Sequence, residues 1–169
     1  GVGTFAVQIA KSFGAKVTGV CSTRKLDMVR SIGADQVIDY TQEDFTKNGQ
    51  RYDLILGIGG NRSLSDYKRA LSTKGIYVCA GGSLAQYFQA MLLGPLISMT
   101  GSKKMGALMA KANKKDLVFM KELLEAGKVV PVIDRRYTLS EVAEALRYLE
   151  EGHHQGKIVI TMEHNNKTS

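Results

Sequence analysis

YDLILGIGGNRSLSDYKRALSTKGIYVCAGG, residues 52–82, is the stretch that decides the fold. Its first part, Tyr52 to Ile58, is a nearly continuous apolar run of strand length, and residues 75–80 form a second such run. The stretch between them, Asn61 to Leu71, suits a helix. Because parallel neighbouring strands need a crossover connection, this order predicts two parallel strands joined by a helix.

The alternation of strands and helices continues on both sides of this stretch. Apolar residues at spacings of three and four predict helices, and short β-branched runs predict strands. The predicted elements are a helix over 2–13 that Gly14 ends, a strand at 16–21, a helix at 24–32, a strand at 36–38, a strand at 104–110, a helix at 114–126 capped by Asn113, a helix opened by Ser140 and a strand at 157–162. The apolar stretch 84–99 shows no clear period. The fold class predicted is α/β, with a doubly wound, mostly parallel sheet covered by helices on both faces.

Composition and charge narrow the class of protein. The 169 residues, 44% of them hydrophobic, are enough for one core in one domain. There is no apolar run of membrane length and no secretory signal, so we expect a soluble, cytoplasmic protein without a membrane partner. The net charge of +7 comes from scattered basic residues with acidic residues between most of them. We expect a modest preference for anionic ligands and no nucleic-acid partner.

Few residues are candidates for metal binding or catalysis. Cys21 and Cys79 each end an apolar run, where a small buried thiol is common. Two separated cysteines cannot form a zinc lobe, and His153, His154 and His164 lie in a loop and the tail. We therefore expect surface histidines, no metal site and no zinc. No nucleophile elbow, Ser-His-Asp arrangement or carboxylate pair stands out, so no catalytic residue is assigned.

The chain opens with GVGTFA, residues 1–6, and the first predicted helix follows at once. A GxGxxA sequence at a helix start is typical of a dinucleotide phosphate loop, in which glycines let the backbone approach a pyrophosphate. Gly1, Val2 and Gly3 would then bind phosphate oxygens at the helix N-terminus. The alternative is a glycine-rich N-cap of an unrelated helix.

The end of the strand at 16–21 bears on the choice of nucleotide. Sites that prefer NAD usually place Asp or Glu there, where the carboxylate binds the ribose hydroxyls. This chain instead has Ser22, Arg24 and Lys25, and the two cations suit the 2′-phosphate of NADP(H). The alternative is that both cations are merely exposed in the first turn of a helix. We expect NADP(H) as the cofactor, with NAD(H) as the weaker one.

Glycines follow both apolar runs of residues 52–82. Gly57, Ile58 and Gly59 end the first run, and Gly81 and Gly82 end the second. Ligands of parallel α/β sheets bind at the carboxyl edge, where both strands would end. These residues are therefore candidates for cofactor contacts. The alternative is that the glycines serve only tight turns.

Four segments together carry a family resemblance: GVGTFAVQIAKSFGAKVTGVCSTRKLDMVRSIGADQVIDY (1–40), YDLILGIGGN (52–61), KGIYVCAGGS (74–83) and VVPVIDRRYTLSEVAEALRYLEEGHHQGKIVI (129–160). They resemble the medium-chain dehydrogenase/reductase family, in its zinc-independent, quinone oxidoreductase-like branch. The family loop usually reads AxxGGVG or GLGGVG, so Gly1 and Gly3 match its final glycines. The resemblance implies a Rossmann-like domain whose first strand, with a substrate domain, precedes Gly1.

The resemblance also implies a domain organisation and site residues. It implies a truncated dinucleotide-binding domain at 1–127, a return segment at 128–163 that packs on the substrate domain, and a tail at 164–169. Ser22, Lys25 and Tyr40 match the family positions that bind the 2′-phosphate. The two glycine-rich strand ends match turns that contact the ribose and nicotinamide through their backbone. The commonest family pattern has Asp where this chain has Gly57.

The activity implied is transfer of hydride between NADPH and a quinone, an enone or another carbonyl or alcohol substrate, with this chain alone inactive. Two other functions remain open: a nucleotide-binding module without turnover, and another Rossmann-like enzyme such as a methyltransferase. A methyltransferase would be expected to have an acidic residue after the second strand, and none is present.

The resemblance implies a homodimer as well. Family members commonly associate by pairing their last strands about a two-fold axis, which here would be the strand at 104–110. The alternative is an exposed strand edge that Lys103, Lys104 and Lys111 protect from pairing.

Overall fold

The structure is a computed structural model, and it describes residues 1–60, 62–99 and 101–162. Its helices are α1 (Val2–Ser12), α2 (Leu26–Ser31), α3 (Leu64–Ala70), α4 (Leu84–Met99), α5 (Lys114–Glu125) and α6 (Val142–Glu150). Its strands are β1 (Thr18–Cys21), β2 (Gln36–Asp39), β3 (Tyr52–Gly57), β4 (Leu71–Cys79), β5 (Lys104–Ala107), β6 (Ile133–Thr138) and β7 (Lys157–Thr161). Short 3-10 turns, Thr23–Lys25 and Leu139–Glu141, lead into α2 and α6.

The chain divides into two compact units. The first unit consists of residues 1–37 and the described residues from 118 onward, and the second unit consists of residues 38–117. In the second unit β3, β4 and β5 form a parallel sheet in that order. In the first unit β6 and β7 pair in parallel. A further two-stranded sheet joins β1 and β2, and the boundary between the units falls within β2. Parallel strands separated by helices confirm the predicted α/β class.

The core of the second unit is one cluster to which β3, β4, β5, α3 and α4 all contribute. Its buried members are Ile55, Tyr67, Ala70, Leu71, Tyr77, Cys79, Ala90 and Met105. Within this unit the end of α3 is capped by a distant lysine. Lys103 Nζ donates to the carbonyl oxygens of Lys68 at 2.7 Å and Leu71 at 2.8 Å. This ammonium group satisfies carbonyls that the helix leaves unpaired and complements its negative end.

The apolar stretch 84–99 folds as helix α4. Its apolar residues occur on all sides, and a pattern without a polar face has no period to recognise. α4 approaches β5 closely at Gly94, where a Cβ would lie 2.5 Å from the Met105 carbonyl oxygen. The Ser98 hydroxyl donates to the Gly94 carbonyl at 2.7 Å and accepts from the Met105 N–H at 3.0 Å. Among the described residues, no helix has the length and apolar character needed to cross a membrane.

The boundaries around α3 differ from the sequence prediction. The helix predicted from Asn61 starts at Leu64, because the Ser63 side chain accepts from a backbone N–H of the first turn. Asn61 itself lies outside the described residues. The strand predicted from residue 75 begins at Leu71, directly after the helix. The last strand of this sheet ends at Ala107, three residues before its predicted end.

Two helix starts in the first unit also differ from prediction. The helix predicted at 24–32 becomes regular only at Leu26, after the 3-10 turn. The helix predicted to open at Ser140 is capped by Thr138 instead. The Glu141 carboxylate accepts from the Thr138 N–H at 2.7 Å and from its hydroxyl at 2.8 Å. Ser140 lies inside the turn, so the predicted cap was wrong by two residues.

Gln8 ties α1 to the segment that follows α5, within the first unit. Its side chain is buried, and its Nε2 donates to the Val130 carbonyl at 2.9 Å. Its Oε1 accepts from the Val130 N–H at 2.8 Å. One glutamine therefore satisfies both backbone groups of a residue that belongs to no strand.

We expect Gln8→Leu to lower the free energy of unfolding by about 1–3 kcal/mol, because it leaves the Val130 backbone groups without these partners. Urea unfolding followed by circular dichroism measures the change. Gln42→Leu is the matched control, since Gln42 is exposed and its side chain makes a 3.4 Å hydrogen bond to the neighbouring Thr41 Oγ1. Equal unfolding midpoints for both variants would contradict this role of Gln8.

Candidate nucleotide-binding site

The start of α1 is open to an anion. Gly1 is the N-cap, no side chain caps the helix, and its first turn contains no acidic residue. The helix N–H groups and the positive end of the helix dipole therefore have no counter-charge from the helix itself. Val2 is 57% exposed and Gly3 is half-buried. This polarity and space suit a phosphate group.

Two lysines lie near the start of α1. Burial lowers the pKa of the Gly1 amino group, and the charges of Lys157 and Lys25 lower it further. Both ammonium groups therefore lie within electrostatic range of Gly1. Lys157 Nζ also lies 5.8 Å from the ring centroid of Phe5, on the same helix. The helix start is thus flanked by a cation from β7 and another from the turn before α2.

Sequence reasoning did not identify Lys157 as a site residue. The segment HHQGKIVI, residues 153–160, indicates only the start of a strand. Lys157 and Gly1 lie near opposite ends of the sequence. A local sequence pattern cannot show that two such distant residues come near each other in the fold.

The turn after β1 has the predicted polar character. Ser22 is extended, and its carbonyl accepts from the Lys25 N–H at 2.9 Å, which closes a 3-10 turn. Lys25 is half-buried and Arg24 is exposed. The acid nearest in sequence, Asp27, is paired with Arg30 at 2.8 Å. Within the described residues no carboxylate is paired with Arg24 or Lys25, so both cations can bind an external anion.

The remaining predicted site residues lie in the second unit. Tyr40 follows β2 directly, and its side chain is 53% exposed. The structure therefore brings Gly1 and Lys25 together in the first unit and places Tyr40 with the strand-end glycines in the second.

The turns after β3 and β4 contact each other through their backbones. The parallel register places Gly57 beside Cys79 at the ends of the two strands. The Gly57 carbonyl then accepts two hydrogen bonds, from Ala80 N–H at 2.7 Å and from Gly81 N–H at 3.2 Å. A Cβ on Gly81 would lie 2.5 Å from the Ile58 carbonyl oxygen. Only glycine fits at position 81 without displacing the neighbouring turn.

The glycines of these turns have different roles. Gly82 has φ +123°, a conformation that residues with a side chain rarely adopt. Gly81 and Gly82 therefore meet structural needs, as the tight-turn alternative states. Gly59 is exposed, and a Cβ there would meet no atom within 4 Å. At Gly59 the missing side chain leaves the backbone accessible from solvent.

Helix α4 adds a residue that sequence reasoning also missed. Gln86 Nε2 donates to the Arg62 carbonyl at 3.3 Å, in the segment after β3. Its Oε1 lies 2.8 Å from the place of a Cβ on Gly82, in the turn after β4. Gln86 thus contacts the segments that follow both strands. A glutamine in an apolar stretch, one of two there, gives no sign of this role before the fold is known.

The side chains that could bind metal are dispersed. Cys79 is buried, as predicted, and Cys21 is half-buried. His153 is exposed, as predicted, His154 is half-buried, and His164 lies outside the described residues. In the described part of the chain, no three His, Cys, Asp or Glu side chains form a group that could hold a metal ion.

Comparison with known proteins gives consistent matches. A family model described as zinc-binding dehydrogenase matches residues 32–160. The chain is 33% identical over 165 residues to the chloroplastic quinone-oxidoreductase QR1 of Triphysaria versicolor. The matched region covers 95% of this chain and 49% of that protein. It is 32% identical over 166 residues to the chloroplastic NADPH-dependent alkenal/one oxidoreductase of Arabidopsis thaliana. This match covers 95% of this chain and 38% of that protein.

The fold is similar to solved structures as well. The quinone oxidoreductase of Coxiella burnetii superposes with a TM-score of 0.77 at 26% identity, over 96% of this chain and 50% of that chain. This likeness confirms the predicted Rossmann-like class. The chain spans about half the length of the quinone oxidoreductases that it matches.

Proposed function

Because this chain belongs to the zinc-binding dehydrogenase family, as a quinone oxidoreductase-like member of the medium-chain dehydrogenases, we propose that it is the nucleotide-binding portion of an oxidoreductase. The whole protein would transfer hydride between NADPH and a quinone, an enone or another carbonyl or alcohol substrate. The observation that carries this proposal is the uncapped start of α1 with Lys25 and Lys157 beside it, a combination suited to an anionic nucleotide.

The first unit is proposed to bind the phosphates. The N–H groups at the start of α1, over residues 1–3, donate to the pyrophosphate, and Lys157 adds positive charge. The 2′-phosphate is bound by the turn after β1, through Ser22, Arg24 and Lys25. The absence of a carboxylate partner for these two cations among the described residues supports this assignment, because an exposed cation at a helix start is unfavourable without an anion.

In the second unit the proposed cofactor contacts are Tyr40 and the turns after β3 and β4, the turns for the nicotinamide half. The Gly57 carbonyl is occupied by two N–H donors, so it has little capacity left for the cofactor. Gly57 would therefore act by fixing the turn, while Ile58 and Gly59 offer backbone groups to the ligand. Gly81 and Gly82 shape the neighbouring turn. NADPH supplies the hydride when bound, and this chain binds and orients it.

A nucleotide-binding module without turnover would use the same residues. The names of the relatives denote oxidoreductases, which favours the enzyme over the module and gives no support to a methyltransferase. Oxidation of NADPH by the whole protein in the presence of a quinone or an enone distinguishes the two functions.

We expect NADPH to bind this chain more tightly than NADH, by about tenfold or more, because charged hydrogen bonds to the 2′-phosphate contribute about 1.5–3 kcal/mol. Lys25→Ala should weaken NADPH binding about tenfold and leave NADH binding nearly unchanged. Titration of both nucleotides followed by nicotinamide fluorescence measures the affinities.

Lys121→Ala is the matched control for this experiment. Lys121 lies on α5, is exposed and pairs only with Glu125 at 3.4 Å, so its loss should change neither affinity. Equal affinities for the two nucleotides, or full NADPH affinity in Lys25→Ala, would overturn the assignment of the 2′-phosphate site.

We also propose a homodimer through the outer edge of β5. β5 is the last strand of its sheet, so within the described residues one of its edges has no strand partner. The Leu108 N–H donates to the Cys79 carbonyl at 2.8 Å, and alternation along a strand then directs the Ala107 N–H away from β4. A second copy could pair with this edge about a two-fold axis from Ala107 onward, beyond Met105, whose N–H donates to Ser98 Oγ.

Side-chain positions near β5 favour the dimer over a protected edge. Lys103 is engaged with carbonyls at the end of α3, so of the three lysines Lys104 and Lys111, both exposed, are left to protect the strand edge. Leu108 and Met109 are 50% and 79% exposed just after the strand. Exposed apolar side chains beside an unpaired edge favour contact with another protein surface.

Light scattering should find the parent chain dimeric at micromolar concentration and Ala107→Pro monomeric, with an unchanged circular dichroism spectrum. Proline at 107 removes the outward N–H and leaves the Leu108 bond to β4 in place. Lys111→Ala changes only an exposed side chain and should stay dimeric. A monomeric parent, or a folded proline variant that still dimerises, would exclude this interface.

We further propose that the chain binds no zinc. In support, no three His, Cys, Asp or Glu side chains among residues 1–60, 62–99 and 101–162 form a group that could hold a metal ion. Elemental analysis after dialysis should find far less than one zinc per chain, and stoichiometric zinc would refute the proposal.

The cytoplasmic location expected from the sequence is also a proposal. Two of the relatives are named as chloroplastic proteins.

A further inference from the structure

Two stacked tyrosines lie beneath the turn after β3. Tyr67 comes from α3 and Tyr77 from β4, and each is only 3% exposed. Their ring centroids are 4.4 Å apart with an angle of 19° between the planes. Such close stacking of two buried rings forms a rigid support, because neither ring can turn without displacing the other.

The turn itself is fitted to these rings. A Cβ on Gly57 would lie 2.8 Å from Tyr77 Oη and 3.1 Å from its Cε2. A Cβ on Gly60, at the other end of the turn, would overlap Tyr67 Oη. Each phenol thus fills the place where a side chain of the turn would otherwise be.

The second turn is connected to the same strand. Cys79 follows Tyr77 by two residues, so both buried side chains lie on one face of β4. Cys79 Sγ donates to the Gly81 carbonyl at 3.4 Å. This face of β4 therefore contacts both turns, at Gly57 through Tyr77 and at Gly81 through Cys79. Burial raises the pKa of both tyrosines, so both phenols stay protonated and able to donate at neutral pH.

We propose that Tyr67 and Tyr77 are positioning residues for the nicotinamide half of the cofactor. They hold the turn from Gly57 to Gly60 on its path, next to Cys79, which bonds to the turn at Gly81. This inference rests on the proposed function, because it assumes that these turns bind the nicotinamide. It also explains why position 57 is glycine: Tyr77 occupies the space that a side chain at 57 would need.

A double-mutant cycle tests the coupling of Gly57 and Tyr77. Gly57→Ala should weaken NADPH binding about tenfold, because the new methyl group pushes the turn away from Tyr77 Oη. Tyr77→Phe removes Oη, the atom nearest to the new methyl group. In this background Gly57→Ala should therefore weaken NADPH binding only about threefold. Tyr77→Phe alone keeps the ring and should fold, with a loss of about threefold because no hydroxyl then fills the space beside Gly57.

A second ligand separates positioning from general damage. Adenosine 2′,5′-bisphosphate has the 2′-phosphate and lacks nicotinamide, so its affinity should stay within about twofold of the parent in every variant. Tyr52→Phe is the matched control, since its hydroxyl bonds to Gln50 Oε1 at 3.0 Å, away from the turns. It should bind both ligands like the parent chain. Thermal unfolding by circular dichroism verifies that each variant is folded.

The possible outcomes separate the two proposals. Equal losses from Gly57→Ala in both backgrounds, or equal losses for both ligands, overturn the role of the tyrosines and leave the proposed function standing. Failure of the parent chain to bind NADPH overturns the proposed function, and the cofactor role of the tyrosines with it. The inference is supported if Gly57→Ala weakens NADPH binding less in the Tyr77→Phe background than in the parent, while the affinity for adenosine 2′,5′-bisphosphate stays unchanged.

Discussion

The parallel pairing of β3 with β4 is the constraint on which the second unit depends. Its register aligns Leu56 with Val78 and Gly57 with Cys79, so both strands end at the same level. The side chains of a strand alternate between two faces, and here Ile55 and Cys79 lie in the buried cluster. A shift of one residue would turn these side chains away from the core and separate the Gly57 carbonyl from its two N–H donors.

Polar side chains from distant parts of the sequence complete the fold inside each unit. Gln8 provides both backbone partners of Val130, and Lys103 satisfies two carbonyls at the end of α3. Both contacts occur where regular secondary structure ends and leaves backbone groups without a partner. The buried apolar cluster stabilises the sheet and helices, while these polar contacts determine how the intervening segments run.

The fold class and the glycine-rich strand ends could be predicted because their signals are local. Apolar runs and helical spacing involve neighbouring residues, and the order of elements then restricts the topology. The TLSE sequence at 138–141 also contained a local signal, the capping box, that would have placed the helix start correctly. Helix α4 could not be recognised, because its apolar residues surround the helix and leave no period.

The site was only partly predictable for a different reason. The glycines and the cations after β1 belong to short motifs whose chemistry can be inferred from residue type. Lys157, Gln86 and the tyrosine pair act through contacts between residues far apart in the chain, and residue type alone does not report such contacts. Tyr77 in particular is one aromatic residue in an apolar strand, indistinguishable in the sequence from an ordinary core residue.

The fit between Gly57 and Tyr77 restricts how this protein can evolve. A mutation that introduces the aspartate common in related sequences at position 57 meets the Tyr77 ring and is harmful on its own. The same aspartate becomes acceptable once a smaller residue has replaced the tyrosine. That earlier loss, however, leaves a cavity beneath the turn until the aspartate fills it. Each single step is therefore unfavourable, and the glycine–tyrosine combination should persist in a lineage once it has arisen.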